Sequence, residues 1–327
     1  MVRIGFVGTG GIANHHLEQL GKVEGAQVVA LCDVVEARAQ EAAGKFGGKA
    51  YTDYRKMLDA ETLDAVYVCI PPFAHSDAET LAARKGIHLF VEKPVVLDLA
   101  LGLKINEEIR KAGVMSSVGY SLRYTPAAEA MRRFLQGKTI AMVTGNRWGG
   151  VPGTPWWRVM AQSGGQLVEQ TTHQVDLMRY LAGEIVEVYA RYAQRVIGDL
   201  ENATIPDAQV ATFQFASGAV GSITTSCAMT KGGGQSDVTV TLRDVWVRYG
   251  REVTVSPAGA ASIPVSAEPM PNIDASFIRA IQTGDRSLIR SSYEDGLKSA
   301  AVCIAANESA ETGKPVRIVD CGLRIAE

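Results

Sequence analysis

Cysteine is scarce in this chain. There are five in 327 residues (Cys32, Cys69, Cys227, Cys303 and Cys321), an odd number, widely spaced and without a C-x-x-C pair. That is not the pattern of a disulfide framework, and the thiols read as small core hydrophobes in a reducing compartment. A basic excess is missing too. Lys plus Arg is 33 against 35 for Asp plus Glu, the formal net charge is -2, and no Lys/Arg run occurs. Nucleic acid therefore has no electrostatic footprint here. No apolar stretch approaches the length that spans a bilayer. The five histidines form no H-E-x-x-H, and Glu169 with His173 would need further ligands that the spacing does not supply, so no metal site is expected. Repeats and low-complexity tracts are absent. Gly232-Gly233-Gly234 precedes a strand pattern, which suits a hairpin tip rather than a phosphate loop. A first strand starting at Val2 leaves no room for a signal or transit peptide, and the expectation is a cytoplasmic protein.

What the chain does have is core-forming material. Hydrophobic residues make up 46%, and the length suggests two domains, placed at 1–120 and 121–327. Val2-Arg3-Ile4-Gly5-Phe6-Val7 is an apolar run of strand length. Gly8-Thr9-Gly10-Gly11-Ile12-Ala13 follows and reads as G-x-G-x-x-A. Next come a helical pattern with Ile12, His16, Leu17 and Leu20 on one face, a second apolar run at Val28–Cys32, and Asp33. Strand, tight turn, helix, strand and acid are the order of a dinucleotide-binding unit. Gly8 permits the sharp turn, Gly10 lets backbone approach a pyrophosphate at the helix N-terminus, and Ala13 is small enough for close packing on the sheet. Asp33 can accept hydrogen bonds from both hydroxyls of the adenine-side ribose and would repel a 2′-phosphate. It therefore favours NAD over NADP.

Strands and helices continue to alternate up to about Tyr120, the pattern of a parallel doubly wound sheet. Beyond it the grammar changes. One helix is expected over Gly165–Ala182, followed by successive strands from Val186 to about Val255 with little helical signal between them. Asp207–Ala216 and Ala219–Ala228, split by Ser217-Gly218, look like a hairpin. Two helices, Ile273–Thr283 and Tyr293–Thr312, precede a last strand. This predicts a large, mostly antiparallel open sheet with helices on one face, whose uncovered face points to self-association.

Ligands of a doubly wound sheet bind beyond the carboxyl ends of its strands. The fourth strand ends in Ile70-Pro71-Pro72-Phe73-Ala74-His75 and the fifth in Glu92-Lys93-Pro94. Lys93 there is either aimed at a substrate above the nicotinamide or paired with Glu92 in a solvated loop. On the expected Gly165–Ala182 helix, Glu169, His173 and Asp176 stand at i, i+4 and i+7 and share one arc. Histidine suits the proton transfer that accompanies hydride loss from an alcohol. A solvated Glu–His pair would look the same. Trp148, Trp156 and Trp157 lie in one loop with Arg158, suited either to stacking on a sugar ring or to packing as a lid.

Taken in order, these motifs resemble the glucose–fructose oxidoreductase/inositol dehydrogenase family. The residues that carry the likeness are the Gly8–Ala13 loop, Pro71-Pro72 with His75, Glu92-Lys93-Pro94, Arg123-Tyr124, and Gly164-Gly165-x-Leu167-x-Glu169-x-x-x-His173-x-x-Asp176. The resemblance implies an N-terminal Rossmann domain and a C-terminal α+β domain that builds dimers or tetramers. It implies an NAD(P)-dependent oxidoreductase of a sugar, cyclic polyol or related alcohol. Gly8, Thr9, Gly10, Gly11, Ile12, Asp33, Ile70, Pro71, Pro72, His75, Glu92, Lys93, Pro94 and Arg123 then face the cofactor. Tyr124, Trp157, Arg158, Glu169 and His173 face the substrate, and Lys93, His173 and Glu169 carry the chemistry. The family usually has aspartate where this chain has Glu169. Two relatives by fold stay open at this point: NAD-dependent glycosidases and non-catalytic nucleotide-binding sensors.

Overall fold

The computed structural model describes residues 1–322. It divides into two compact units, Met1–Ser121 with Pro271–Leu297, and Leu122–Met270 with the chain from Lys298 onward. The sequence division assigned everything beyond 120 to the second domain, whereas Pro271–Leu297 packs with the first unit.

The first unit is built on β1 (Val2–Val7), β2 (Ala26–Cys32), β3 (Lys49–Tyr51), β4 (Ala65–Val68), β5 (His88–Val91) and β6 (Ser116–Val118). All pair in parallel in the order β3-β2-β1-β4-β5-β6. Parallel strands covered on both faces must be apolar throughout. Ile4, Phe6, Leu31, Val66, Val68, Leu89 and Phe90 are accordingly buried, and Tyr67 stacks between Phe6 and Phe90 at centroid distances of 4.8 and 4.5 Å. The helices are α1 (Gly11–Leu20), α2 (Glu36–Phe46), α3 (Tyr54–Ala60), α4 (Ala78–Arg84) and α5 (Leu99–Ala112). Local chemistry sets their ends: Asp98 caps α5 by accepting from the Ala100 N–H, and Gly113 closes it in the left-handed region. Strand order reverses beside β1, which pairs with β2 on one side and β4 on the other. The crevice at that reversal, beyond the strands' carboxyl ends, is where such sheets bind ligands.

The second unit holds α6 (Pro126–Leu135), β7 (Met142–Trp148), α7 (Met160–Ser163), α8 (Gly165–Glu169), α9 (Thr172–Ala182), β8 (Ile185–Ala193), β9 (Ala208–Phe215), β10 (Val220–Ser226), β11 (Gln235–Thr241), β12 (Trp246–Tyr249) and β13 (Thr254–Ser256). After them come α10 (Ile273–Thr283) in the first unit, α11 (Tyr293–Thr312), and the short β14 (Val316–Arg317). The sheet runs β13-β12-β11-β7-β10-β9-β8-β14 and is antiparallel except where β10 lies parallel to β7. The hairpin turns at Gly218, whose φ is 88°, a value that glycine adopts without penalty. Side chains alternate across this sheet. Val143, Val188, Ala211, Phe213, Ile223, Val238 and Val240 are buried on one face, with Met178 of α9 packed close to Gly145 and Gly221. The other face carries Thr144, Thr212, Thr224 and Thr239 together with the exposed Met142, Val210 and Val220.

Cys32, Cys69, Cys227 and Cys303 are free and buried, while Cys321 lies outside the described side chains. Among the described residues no helix is long and apolar enough to cross a membrane, and no group of three or more His, Cys, Asp or Glu side chains could hold a metal ion.

Candidate active site

The turn after β1 separates two kinds of glycine. Gly8 has φ +90°, and a Cβ there would sit 2.3 Å from the Cys69 carbonyl oxygen, so the chain itself demands glycine. At Gly10 and Gly11 an added Cβ would meet nothing within 4 Å, and neither has a positive φ. Neither the fold's sterics nor its backbone angles require glycine at these two positions. The N-terminus of α1 also lacks both a side-chain cap and an acidic residue in its first turn. Open space in front of uncapped N–H groups fits an approaching pyrophosphate. Ala13 is buried against the sheet as its size permits, and Ile12 is turned outward at 45% exposure. Asp33, at the end of β2, ties the turn down: Oδ2 accepts from the Thr9 N–H (3.0 Å) and hydroxyl (3.1 Å), and Oδ1 from the Val35 N–H (2.9 Å). A carboxylate offers about four lone-pair positions, so with three donors in place about one remains for a ribose hydroxyl.

Two further strand ends stand at the same edge of the sheet. After β4, Pro72 is buried and Ile70 and Pro71 are half-buried, while His75 is buried in a hydrogen bond from its Nδ1 edge to Glu79. After β5 come buried Glu92, half-buried Lys93 and buried Pro94. Glu92 Oε2 accepts from the Lys93 backbone N–H at 3.0 Å. The shown link between Lys93 and Glu92 thus runs through the backbone.

In the second unit the expected helix over Gly165–Ala182 is two helices, and this corrects the geometry assumed for Glu169, His173 and Asp176. The Thr171 N–H bonds to the Gln166 carbonyl, five residues back (2.9 Å), and its hydroxyl lies 2.6 Å from that of Thr225 on β10. That wide turn interrupts the helical repeat, so Glu169 ends α8 while His173 stands in the first turn of α9. Glu169 Oε2 accepts from Trp157 Nε1 at 2.5 Å. The Trp157 ring is buried with Ile197, Ile205 and Cys227. Its apolar face packs into the unit, and its polar edge orients a carboxylate. Arg158 beside it is half-buried. Asp176 is fully buried and paired with Arg123, Nε to Oδ2 at 2.7 Å and Nη2 to Oδ1 at 2.6 Å, and it also accepts from Ser299. These two donors of Arg123, placed toward the cofactor by resemblance, are occupied within its own unit. Tyr124 is buried next to it.

Relatives decide the family. Residues 2–120 match the oxidoreductase family with an NAD-binding Rossmann fold, and residues 130–244 match the GFO/IDH/MocA C-terminal domain. The myo-inositol 2-dehydrogenase of Thermotoga maritima is 32% identical over 232 residues, 69% of this chain and 68% of that one. This chain is a GFO/IDH/MocA oxidoreductase. The scyllo-inositol 2-dehydrogenase (NAD(+)) of Bacillus subtilis is 29% identical over 230 residues, covering 69% of this chain and 67% of its own. The fold likeness extends further. A dehydrogenase from Bordetella pertussis, solved in complex with NADH and UDP-GlcNAcA, superposes with a TM-score of 0.84 over 97% of each chain at 22% identity. The Rossmann domain with its parallel sheet is therefore the NAD-binding module of this GFO/IDH/MocA protein, and the eight-stranded sheet belongs to its C-terminal domain.

Two groups at this site escaped the sequence reading. In the sequence His16 reads as one position of the α1 apolar stripe, and no pattern singles out Asp274. A histidine within a stripe otherwise made of Ile and Leu is the available signal, since a buried imidazole needs polar partners.

Proposed function

We propose that this oxidoreductase transfers hydride between NAD and a hydroxyl or carbonyl of a sugar, cyclic polyol or related compound, with Lys93 and His173 handling the oxyanion and the proton. The observation that carries the reading is Lys93 at the carboxyl end of β5, held there through Glu92 at the same sheet edge as the open glycine turn. The inositol dehydrogenases among the relatives supply the substrate class. When bound, the nicotinamide supplies the hydride acceptor. In the direction of oxidation, the His173 imidazole, in the first turn of α9, takes the proton of the substrate hydroxyl. The Lys93 ammonium stabilises the developing alkoxide. Glu169, oriented by Trp157, assists, and Tyr124 and Arg158 complete the contacts to substrate. In reduction the same groups return the proton. A screen of myo-inositol, scyllo-inositol and common sugars with NAD, followed at the NADH absorbance band, is expected to give turnover on at least one polyol. A protein that binds NADH yet turns over none of them counts against the reading.

Asp33 sets the cofactor preference in this proposal. Asp33→Ser removes the charge facing the ribose and the anchor of Thr9, so the NAD-to-NADP ratio of kcat/KM is expected to fall by about tenfold or more, about 1.4 kcal/mol. An unchanged ratio would remove Asp33 from the ribose site.

Self-association through the open face of the eight-stranded sheet is part of the same reading, as a homodimer or homotetramer. Met142 and Val220, at 41% and 50% exposure, stand side by side on that face, in paired positions of β7 and β10. Val220→Lys is expected to shift the mass measured by light scattering toward the monomer. An assembly that keeps its mass in this variant would place the contact elsewhere. Four buried free thiols suit the reducing cytoplasm as the place of work.

A further inference from the structure

His16 is buried, 3% exposed, in the helix that starts at the glycine turn. Its Nε2 lies 2.9 Å from Glu92 Oε1, and its Nδ1 lies 2.8 Å from Asp274 Oδ1 in the first turn of α10. A neutral imidazole carries a single N–H and cannot donate to two ionised carboxylates, whereas an imidazolium donates to both. Burial works against that charge, but the hydrogen bonds to Asp274 and Glu92, with the field of both carboxylates, outweigh it and raise the His16 pKa to about 9. The other neighbours are rings and one thiol. The Phe90 and Tyr67 rings lie 4.8 and 5.6 Å away between centroids, and His15 stands edge-on at 5.9 Å. The Cys69 thiol, which feels both carboxylates, is held protonated first of all by its own burial.

Glu92 is gripped on every side. Oε1 meets His16 and Oε2 meets the Lys93 N–H. Gly119 leaves the room for the carboxylate, because a Cβ there would come within 2.3 Å of Oε1. We propose that His16 is a positioning residue for Lys93: anchored by Asp274, its ring holds the Glu92 carboxylate in place, and Glu92 fixes the backbone from which the Lys93 ammonium projects. This rests on the reading of Lys93 as the oxyanion-stabilising group. One chain of hydrogen bonds thereby ties the helix of the dinucleotide turn to the lysine loop and to α10, all within the first unit. When His16 loses its proton, one bond to a carboxylate must break, and Glu92 is left facing Asp274 without an intervening cation.

The test uses the whole protein, NAD, and the polyol that turns over best in the screen. In His16→Gln, kcat at pH 7.5 is expected to fall about tenfold or more, while the Kd for NADH, read by fluorescence, stays within about twofold. The wild-type kcat profile is expected to decline through pH 9, and Asp274→Asn is expected to move that decline to lower pH by about one unit. The Asp274 variant keeps the conclusion testable if the His16 variant does not fold. A readout without turnover accompanies it. His16 has a folded-state pKa above its ordinary 6.5, so its contribution to stability is complete below pH 6.5 and is lost as pH rises through about 9. In Asp274→Asn that loss is expected at lower pH. Wild-type kcat and an unmoved basic limb in both variants would overturn the positioning role while leaving Lys93 in place. Full activity in Lys93→Ala would instead overturn the reading beneath it, which separates the two failures.

Discussion

Lys93→Ala is expected to bind NAD as the wild-type protein does and to turn over about 10²–10³ times more slowly, a loss of about 2.7–4 kcal/mol of transition-state stabilisation. In this proposal the cofactor is retained because the glycine turn and the α1 N-terminus, neither of which involves this side chain, hold its pyrophosphate. In the same proposal the chemical step suffers because an ammonium at the sheet edge stabilises the alkoxide only as negative charge develops. KM for the polyol should therefore change far less than kcat. Lys93→Arg should rescue poorly, since a planar guanidinium does not present the compact point charge of an ammonium. Stopped-flow NADH formation together with NADH binding separates the two quantities. A kcat within a factor of two of wild type in Lys93→Ala would remove the residue from the chemistry.

The second large effect belongs to His173. His173→Ala is expected to lower kcat by about 10²–10⁴-fold, the range for loss of a positioned general base. It should also abolish the acid limb of the kcat/KM profile in the oxidative direction, the limb in which a protonated imidazole can no longer accept the substrate proton. A variant that is slow but keeps the wild-type pH dependence would assign the proton to another group. Lys93 and His173 act on one oxygen in this proposal, so the double variant should be little slower than the worse single one. Glu169→Gln should be milder and should act partly through Trp157, whose indole N–H then donates to a neutral amide.

How far the site could be read from residues alone varies along the chain. The glycine turn was legible because each of its demands is local: a positive φ at Gly8, a small residue at Ala13, and an acid closing the next strand at Asp33. Lys93 was legible as a strand-end residue, and its tie to Glu92 is between neighbours. The arc drawn through Glu169, His173 and Asp176 fails at one point. It assumes an unbroken helix, and Thr171 breaks the repeat for a hydroxyl on β10, more than fifty positions away. Asp176, which the periodicity placed beside His173 as an equal, is buried against Arg123 and Ser299. The tryptophan loop reads equally as a sugar platform and as a packed lid, and in the structure the Trp157 ring joins a cluster with Ile197, Ile205 and Cys227.

By itself, the sequence determined what neighbours within a few positions can settle: most strands and helices, the turns at Gly8 and Gly218, and the doubly wound class of the first half. These follow from backbone sterics and from hydrogen bonds whose donors and acceptors are adjacent in the chain. Tertiary structure alone decided that β10 runs parallel to β7, that Pro271–Leu297 returns to the first unit, and that His16 sits between Glu92 and Asp274. His16 and Asp274 are 258 positions apart, and no periodicity encodes such a meeting. It arises because a buried imidazole and two buried carboxylates can leave water only together, each satisfying the others.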